Sequence, residues 1–323
     1  MSLSFQSLNY PSNISYCISK HTSHSQGKRN PSLLKLPSSI IPQAAESPLI
    51  NKPSSDRTFS SFQLIGQEAN GIGIIGGVSA YSSLNFANKL VKFKLEKEES
   101  SPPFVLCSDP ALSKELLSLE RGSFPFLSAK TQSLQSDYTL IVENLREKRV
   151  FLEKFGVCCI VMPCDISHSW YDEIKDGCSV PCLHVGECVA KELKEAKLRP
   201  LEAGSPLRIG VLATNETSVA RFYREKLENE GFEVILPDKA TVEHTVIPLV
   251  EALNRKDLEG AQNLFRIALQ VLLVRAMNRI ILASDELRQL LPPDDPLWRK
   301  CIDPMDALAR SSLKYAQPQG RCK

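Results

Sequence analysis

Hydrophobic residues in this chain form short continuous runs, separated by longer stretches in which apolar residues recur at helical spacing. Several runs show no alternation of apolar and polar residues, which is typical of strands buried on both faces of a parallel sheet. The runs that predict strands are GIGII (71–75), PFVLC (103–107), VCCIVM (157–162), VPCLHV (180–185), RIGVLA (208–213), FEVILP (232–237), RIILA (279–283) and KCID (300–303).

The stretches between these runs have the periodicity of amphipathic helices. They predict helices over 134–155, 218–230, 245–254 and 258–277. Gly231 directly follows the second of these and is a predicted helix C-cap. Strands and helices that alternate in this way predict an α/β fold with mostly parallel sheets.

The two halves of the pattern are similar to each other. Each begins with a strand and a loop of small residues, IGIIGGVSA (72–80) or IGVLATNET (209–217). Each later reaches a strand that ends in reactive or polar residues, MPCDISH (162–168) or LASDEL (282–287). Because ligands bind outside the carboxyl ends of parallel strands, the loops after Ile75, Met162, Leu212 and Leu282 are expected to meet at one cleft.

Composition separates the start of the chain from the rest. The first 45 residues contain no Asp or Glu, are rich in Ser and carry scattered Lys and Arg. This composition predicts that residues 1–65 are a disordered transit peptide that directs the protein to the plastid stroma. The alternative is a disordered tail without a targeting role.

The remaining residues argue against two classes of partner. They contain 33 basic and 35 acidic residues, so their net charge is about −2. A nucleic-acid-binding protein needs a concentrated basic face, which this balance does not favour. The sequence has neither a polybasic membrane patch nor a run of ~18 apolar residues, so no membrane association is expected.

The cysteines suggest neither a disulfide scaffold nor a metal site. Ten cysteines are spread over 323 residues, which is too sparse for a small disulfide-stabilised domain. Cys178, Cys182, His184 and Cys188 resemble zinc ligands in type. However, two of them fall in a predicted strand and Cys188 would begin a helix, so we expect no metal ion there.

Glycines around the first strand match the letters of a dinucleotide fingerprint. In that fingerprint the glycines follow the strand, whereas Gly71 and Gly73 precede or lie within it. The interpretation we favour is a tight turn at 76–77. It would present the backbone N–H groups of Val78 and Ser79 to a small anion at the start of the next helix.

Cys164 is the strongest candidate for a reactive side chain. A cysteine after an apolar strand is often merely buried. However, Cys164 also precedes a predicted helix, and a helix N-terminus stabilises a thiolate. His168, about one helical turn further on, could orient this thiolate or stabilise its charge, whereas the carboxylate of Asp165 would oppose it.

Ser284, Asp285 and Glu286 follow the corresponding strand of the second half. Ser and Asp are common N-caps, so on the residues alone this segment could simply begin a helix.

Five motifs together resemble the aspartate/glutamate racemase family over residues 71–315: GIGIIGG (71–77), MPCDISH (162–168), IGVLAT (209–214), ILASDEL (281–287) and IDPMDA (302–307). The resemblance implies two pseudo-symmetric α/β domains, each a mostly parallel sheet flanked by helices, with the active site between them. It assigns residues 66–182 and 300–318 to the first domain and residues 183–299 to the second. It also implies a homodimer that uses neither PLP nor a metal ion.

Family racemases use two cysteines on opposite faces of the substrate Cα. Cys164 matches the first, and Ser284 stands where the second would be. The resemblance also retains His168, Thr214 and Glu286.

Other positions depart from the family pattern. The family's Asn and Thr after the first cysteine, which hold the substrate α-carboxylate, are Asp165 and Ile166 here. The Thr after the second cysteine is Asp285, and Val78-Ser79-Ala80 replaces Met-Gly-Pro.

The expected function is therefore a cofactor-independent amino-acid racemase or epimerase, with an amino acid or related carboxylic acid as substrate. The expected catalytic residues are Cys164, Ser284 and His168. One alternative is a single-thiol decarboxylase or isomerase of the same superfamily. Another is a non-catalytic relative that binds a metabolite or a partner protein. The expected substrate-binding residues are Val78, Ser79, Asp165, Thr214, Asp285 and Glu286.

Overall fold

The structure is a computed structural model that describes residues 71–96, 99–122, 138–201, 204–214, 216–292 and 294–317. The predicted transit peptide, residues 1–65, lies outside the described residues, and its plastid address stays a prediction.

The strands form two sheets in which every pairing is parallel. The first sheet contains β1 (Ile72–Ile75), β2 (Phe104–Cys107) and β3 (Cys159–Val161), in the order β2-β1-β3. The second contains β4 (Arg208–Leu212), β5 (Glu233–Ile235), β6 (Arg279–Leu282) and β7 (Cys301–Ile302), in the order β5-β4-β6-β7. The predicted α/β class with parallel sheets is confirmed.

Two predictions about strands need correction. The segment 180–185 makes only an isolated bridge, between Cys182 and Ile160, because a helix already begins at Val185. Residues 300–318 were assigned to the first domain, but Cys301 and Ile302 pair with β6 of the second sheet. The short final strand thus extends the second sheet before the chain returns to the first half through its last helix.

Helices fill the connections between strands. Gly231, with φ 86°, closes the turn after the helix that precedes β5, where its N–H donates to Glu228 O. The helix predicted over 258–277 ends earlier, at Val274, because the backbone of Ala276 is left-handed, with φ 59°. The α-helices are α1 (Ala80–Leu95), α2 (Pro110–Gly122), α3 (Thr139–Phe155), α4 (Tyr171–Lys175), α5 (Val185–Glu195), α6 (Glu216–Glu228), α7 (Lys239–Thr241), α8 (Ile247–Asn254), α9 (Leu258–Val274), α10 (Asp285–Arg288) and α11 (Pro304–Tyr315).

A single core cluster joins the two sheets. It contains side chains of β1, β3, β4 and β6 together with those of α1, α5, α6 and α11. A second cluster packs α8 and α9 on the outer face of the second sheet, and a third packs α3 on the outer face of the first. Both faces of the sheets are therefore buried, which explains the continuous apolar runs in the sequence. Within the described part of the chain, no helix is long and apolar enough to cross a membrane.

Candidate active site

A cavity of about 100 Å³ lies at the carboxyl ends of strands from both sheets. Its walls come from the loops after β1, β3 and β6 and from helices α1 and α6. Of the four loops that were predicted to meet, those after Ile75, Met162 and Leu282 line this cavity, and the described residues of the loop after Leu212 do not. The lining residues are Val78, Ser79, Tyr81, Ser82, Cys164, Asp165, Ile166, Val219, Ala283, Ser284, Asp285, Glu286 and Gln289.

Cys164 lies three residues beyond the end of β3 and lines this cavity while remaining 6% exposed. Its backbone is extended, with φ −147° and ψ 110°, and it caps a six-residue 3-10 helix, Asp165–Trp170. Its carbonyl oxygen accepts the N–H of Ser167 at 3.2 Å. The helix predicted after Cys164 is therefore present as a short 3-10 helix, and the cysteine stands at its N-terminus.

Gly77 packs directly against this cysteine. A Cβ atom on Gly77 would lie 2.1 Å from Cys164 Cβ and 2.4 Å from Cys164 Sγ. No side chain fits in this gap without displacing the thiol. The sequence analysis assigned the glycine pair to a tight turn. In the structure, glycine is required at position 77 because the loops after β1 and β3 approach each other closely there.

Ser284 occupies the equivalent position after β6 and is likewise 6% exposed. Its Oγ accepts a hydrogen bond from the backbone N–H of Thr214 at 2.9 Å and lies 2.8 Å from Thr214 Oγ1. Thr214 follows β4, so this pair links the ends of two neighbouring strands of the second sheet. Ser284 also caps α10, as the helix-cap interpretation predicted, although its side chain makes no capping hydrogen bond.

Arg288 is the residue that the sequence interpretation missed. Its buried guanidinium lies 3.2 Å from Asp165 Oδ2 and 3.5 Å from Asp303 Oδ1, and it also pairs with Asp285. It donates a further hydrogen bond to Leu282 O at 2.9 Å. Burial alone would lower the pKa of Arg288, but the three carboxylates raise it well above its usual value. The side chain is therefore a buried cation.

The family model described as "Asp/Glu/Hydantoin racemase" matches residues 75–311, well over half of the chain. The chain belongs to this family. A curated relative, the broad specificity amino-acid racemase RacX of Bacillus subtilis (strain 168), is 27% identical over 172 residues. That alignment covers 52% of this chain and 64% of RacX, so the chain spans less than two thirds of this relative.

Solved structures of similar proteins support the same fold. An aspartate racemase homologue from Pyrococcus horikoshii OT3 has a TM-score of 0.58 and 22% identity, covering 76% of this chain and 99% of its own. A putative Asp/Glu racemase from Yersinia pestis has the same TM-score and identity, covering 76% and 98% of the two chains. At this level of identity the comparison shows the two-domain fold alone, which agrees with the α/β architecture described above.

Asp165 and Asp285, which replace Asn and Thr of the family pattern, are both bonded within the protein. Asp165 Oδ1 accepts a hydrogen bond from Tyr223 at 2.8 Å, and its Oδ2 faces Arg288. Asp285 pairs with Arg288 and accepts from Ser82. Burial raises the pKa of Asp165, and Arg288 opposes this increase. Both aspartates form part of the cavity wall, with Arg288 compensating part of their charge.

His168 does not carry the positive charge that the sequence suggested as one of its two possible roles. Its Nε2 lies 3.0 Å from Met162 O, and its ring packs among His184, Tyr171 and Phe222. Burial lowers the pKa of His168 to about 4. It is therefore neutral near pH 7 and cannot supply the positive charge expected beside the thiolate.

The remaining predicted residues lie at or beside the cavity. Val78, Ser79 and Glu286 line it, and Thr214 reaches it through Ser284. Ser79 caps α1, where its Oγ accepts the N–H groups of Tyr81 and Ser82. The N-terminus of the 16-residue α1 thus begins at the cavity wall, where the sequence predicted an anion site.

The cysteine and histidine residues that resembled zinc ligands lie around a different cavity, which is formed by α4, α5, the loop between them and the end of α11. Across the described ranges, no group of three or more His, Cys, Asp or Glu side chains is arranged to hold a metal ion. Burial raises the pKa of Cys182 to about 12 and that of Cys188 to about 11, so both are neutral thiols near pH 7.

Proposed function

We propose that this protein is a cofactor-independent racemase or epimerase that transfers a proton at Cα of an amino acid or a related carboxylic acid. Cys164 acts as the thiolate base, and Ser284 is the group on the opposite side of the substrate. The observation that carries this proposal is that both side chains line the same small cavity, each just beyond the end of a strand from a different sheet.

The reaction requires stabilisation of negative charge. Removal of the weakly acidic Cα proton leaves a carbanion-like intermediate, which oriented backbone N–H groups can stabilise. Val78 and Ser79, which directly precede α1, line the cavity, and their backbone N–H groups would bind the substrate carboxylate. The Cα–H bond breaks and its proton passes to the thiolate of Cys164, which becomes a thiol. The hydroxyl of Ser284 gives its proton to the opposite face of Cα and is left as an alkoxide, and the two groups must exchange protons with solvent before the next turnover.

The hydrogen bonds of Ser284 determine what this residue can contribute. Its oxygen already accepts the N–H of Thr214. If Thr214 Oγ1 also donates to it, the hydroxyl hydrogen of Ser284 points to the cavity as a donor. An alkyl hydroxyl is a poor proton donor near neutral pH compared with a thiol, so return of a proton from this side is expected to be slow.

The charges of the wall favour substrates without a second carboxylate. Asp165, Asp285 and Glu286 line the cavity, whereas no Lys or Arg side chain does so among the described residues. Like charges close together in a partly desolvated site are unfavourable. We therefore propose neutral or cationic amino acids as substrates, in preference to aspartate and glutamate.

The test is deuterium incorporation at Cα in D₂O, followed by NMR and by chiral chromatography of the same samples. The panel contains alanine, serine, lysine, aspartate and glutamate. We expect exchange with at least one neutral or basic amino acid and no exchange in Cys164→Ala. Cys188→Ala, which removes a buried thiol near the other cavity, is the matched control and keeps the activity. Equal exchange in wild type and Cys164→Ala would refute the proposal.

A second candidate is proton transfer on one face only, as in a single-thiol isomerase or decarboxylase. It is favoured by the identity of residue 284, a serine, which leaves Cys164 as the only thiol of the pair. The same samples distinguish the two. Deuterium incorporation with retained configuration indicates one-sided transfer, whereas incorporation with loss of enantiomeric excess indicates racemisation.

A further inference from the structure

Arg288 connects residues that follow strands of both sheets. Asp165, which follows β3 of the first sheet, receives the guanidinium at 3.2 Å. Asp285 and Asp303, which follow β6 and β7 of the second sheet, flank the same group. Asp303 also binds Lys89 of α1 at 2.8 Å, so the ion pairs extend back to the first half of the fold.

The position of these partners in the sequence is informative. Asp165 immediately follows Cys164, and Asp285 immediately follows Ser284. One guanidinium therefore holds the neighbours of both groups proposed to act on the substrate. We infer that Arg288 is a positioning residue that fixes the spacing of Cys164 and Ser284 and supplies the positive charge beside the thiol. This inference rests on the proposed function, in which those two residues face the substrate.

A thiolate at Cys164 needs a compensating positive charge because acidic side chains line the same cavity. Asp165, Asp285 and Glu286 share its cavity and would each oppose a thiolate. His168 is neutral near pH 7, as described above. The titratable side chains that line the cavity with Cys164 are those of Tyr81, Asp165, Asp285 and Glu286. Tyr223 and Arg288 bind Asp165, the residue that follows Cys164.

The shape of arginine explains how one side chain can bridge both loops. Its planar guanidinium presents five N–H donors in a fixed fork. Here those donors reach Leu282 O as well as the three aspartates. A lysine would keep the charge but not the fork. Substitution by lysine therefore separates the effect of charge from that of geometry.

The experiment measures the alkylation rate of Cys164 by iodoacetamide from pH 6 to pH 10, read by mass spectrometry of the peptide that contains it. The partly exposed Cys107 in the same digest is the internal control. The variants are Arg288→Lys, Arg288→Gln and the double variant Asp165→Asn with Arg288→Gln. The double variant removes one charge of each sign, so it keeps the charge balance if Arg288→Gln alone does not fold.

We expect the midpoint of the pH dependence of Cys164 alkylation to rise by about one pH unit in Arg288→Gln. At a fixed pH below the midpoint, this shift corresponds to an alkylation rate about tenfold lower than that of wild type. Arg288→Lys keeps the midpoint but lowers deuterium exchange by about tenfold or more, because small displacements of reacting groups are costly. The double variant returns the midpoint toward that of wild type. A folded Arg288→Gln with an unchanged midpoint overturns the inference. So does a double variant whose midpoint is as high as that expected for Arg288→Gln.

Failure of this inference can be distinguished from failure of the proposed function. Alkylation needs no substrate, so it tests the effect of Arg288 on the thiol by itself. If the alkylation midpoints are as expected but no amino acid exchanges deuterium, Arg288 influences the reactivity of Cys164 and the racemase proposal is rejected. Deuterium exchange that depends on Cys164, together with unchanged midpoints and full activity in Arg288→Lys, would reject the role of Arg288 alone.

Discussion

Ser284 Oγ lies 2.8 Å from Thr214 Oγ1 and accepts the Thr214 N–H at 2.9 Å, in the position where the family pattern has a second cysteine. The backbone N–H of Thr214 would donate to a sulfur atom placed there, and Thr214 Oγ1 would lie beside it. Hydrogen bonds to a charged group favour the charged form, so this environment would stabilise a thiolate. The surroundings of residue 284 would therefore suit a thiol as well as the hydroxyl that is present.

On the proposed function, Ser284→Cys is expected to speed the return of a proton from the side of residue 284. A thiol can approach a pKa near the operating pH, whereas a hydroxyl cannot. We expect the rate of racemisation, measured by chiral chromatography, to increase by about tenfold or more. Val219→Cys places a thiol elsewhere in the same cavity and serves as the matched control. A similar increase in both variants would contradict a specific role for position 284.

Gly77→Ala tests the contact between the loops after β1 and β3. The added methyl group would overlap Cys164, so the thiol must move or the fold must strain, at a cost of about 1–3 kcal/mol. We expect a lower Tm and loss of the Cys164-dependent exchange. Gly71→Ala is the control, because a Cβ atom there meets nothing closer than Pro103 O at 3.7 Å. Equal Tm values and activities for the two variants would argue against the close contact.

Tyr223→Phe removes the hydroxyl that donates to Asp165. The carboxylate would remain buried with one oxygen lacking this donor. Loss of a buried hydrogen bond of this kind typically costs about 1–3 kcal/mol in the free energy of unfolding, which urea denaturation would measure. Tyr315→Phe, at a residue 49% exposed, is the control and should leave stability unchanged. A Tyr223→Phe variant as stable as this control would show that the bond contributes little.

The buried imidazole of His168 predicts a pH-dependent stability. Its pKa is lowered to about 4 in the folded protein, whereas the unfolded chain binds the proton near pH 6.5. Between these values the unfolded state binds more protons, so stability is complete above pH 6.5 and is lost as the pH falls toward 4. This residue alone should account for roughly 2 kcal/mol of the difference between pH 7 and pH 4.5.

His168→Gln cannot bind that proton, so its unfolding free energy should change less between the two pH values. The comparison of both proteins by urea denaturation at pH 7 and at pH 4.5 isolates this contribution from that of the acidic residues. His244→Gln, at an exposed histidine, should retain the full wild-type difference. If His168→Gln behaves in the same way as His244→Gln, the buried imidazole does not control this pH dependence.

The sequence alone predicted those parts of the fold and of the cavity that depend on the local pattern of apolar residues and on the order of the strands. The apolar runs identified the seven described strands, and the position of Cys164 after such a run identified one wall of the cavity. The run at 180–185 was misleading because apolar residues that pack beneath a helix start have the same composition as a short strand. Sheet membership of residues 301–302 depends on pairing with β6, which their own sequence does not encode.

Arg288 could not be assigned from sequence because its role depends on a partner 123 positions away, Asp165. An arginine within a short acidic segment is usually a solvated helix residue. The sequence feature that pointed to this role was the presence of two acidic residues, Asp165 and Asp285, where the family pattern has uncharged ones. Buried carboxylates require a cation, and a search for one near the second strand end would have led to Arg288.

The hydrogen bonds of Asp165 also have a consequence for when the loop that carries Cys164 can reach its final structure. Both partners of its carboxylate, Tyr223 and Arg288, lie C-terminal to it in the chain. Domains generally begin to fold while the ribosome is still synthesising the remainder. The final arrangement of the loop that carries Cys164 therefore depends on residues as far along the chain as Arg288, and a chain that ends before Arg288 is expected to lack it.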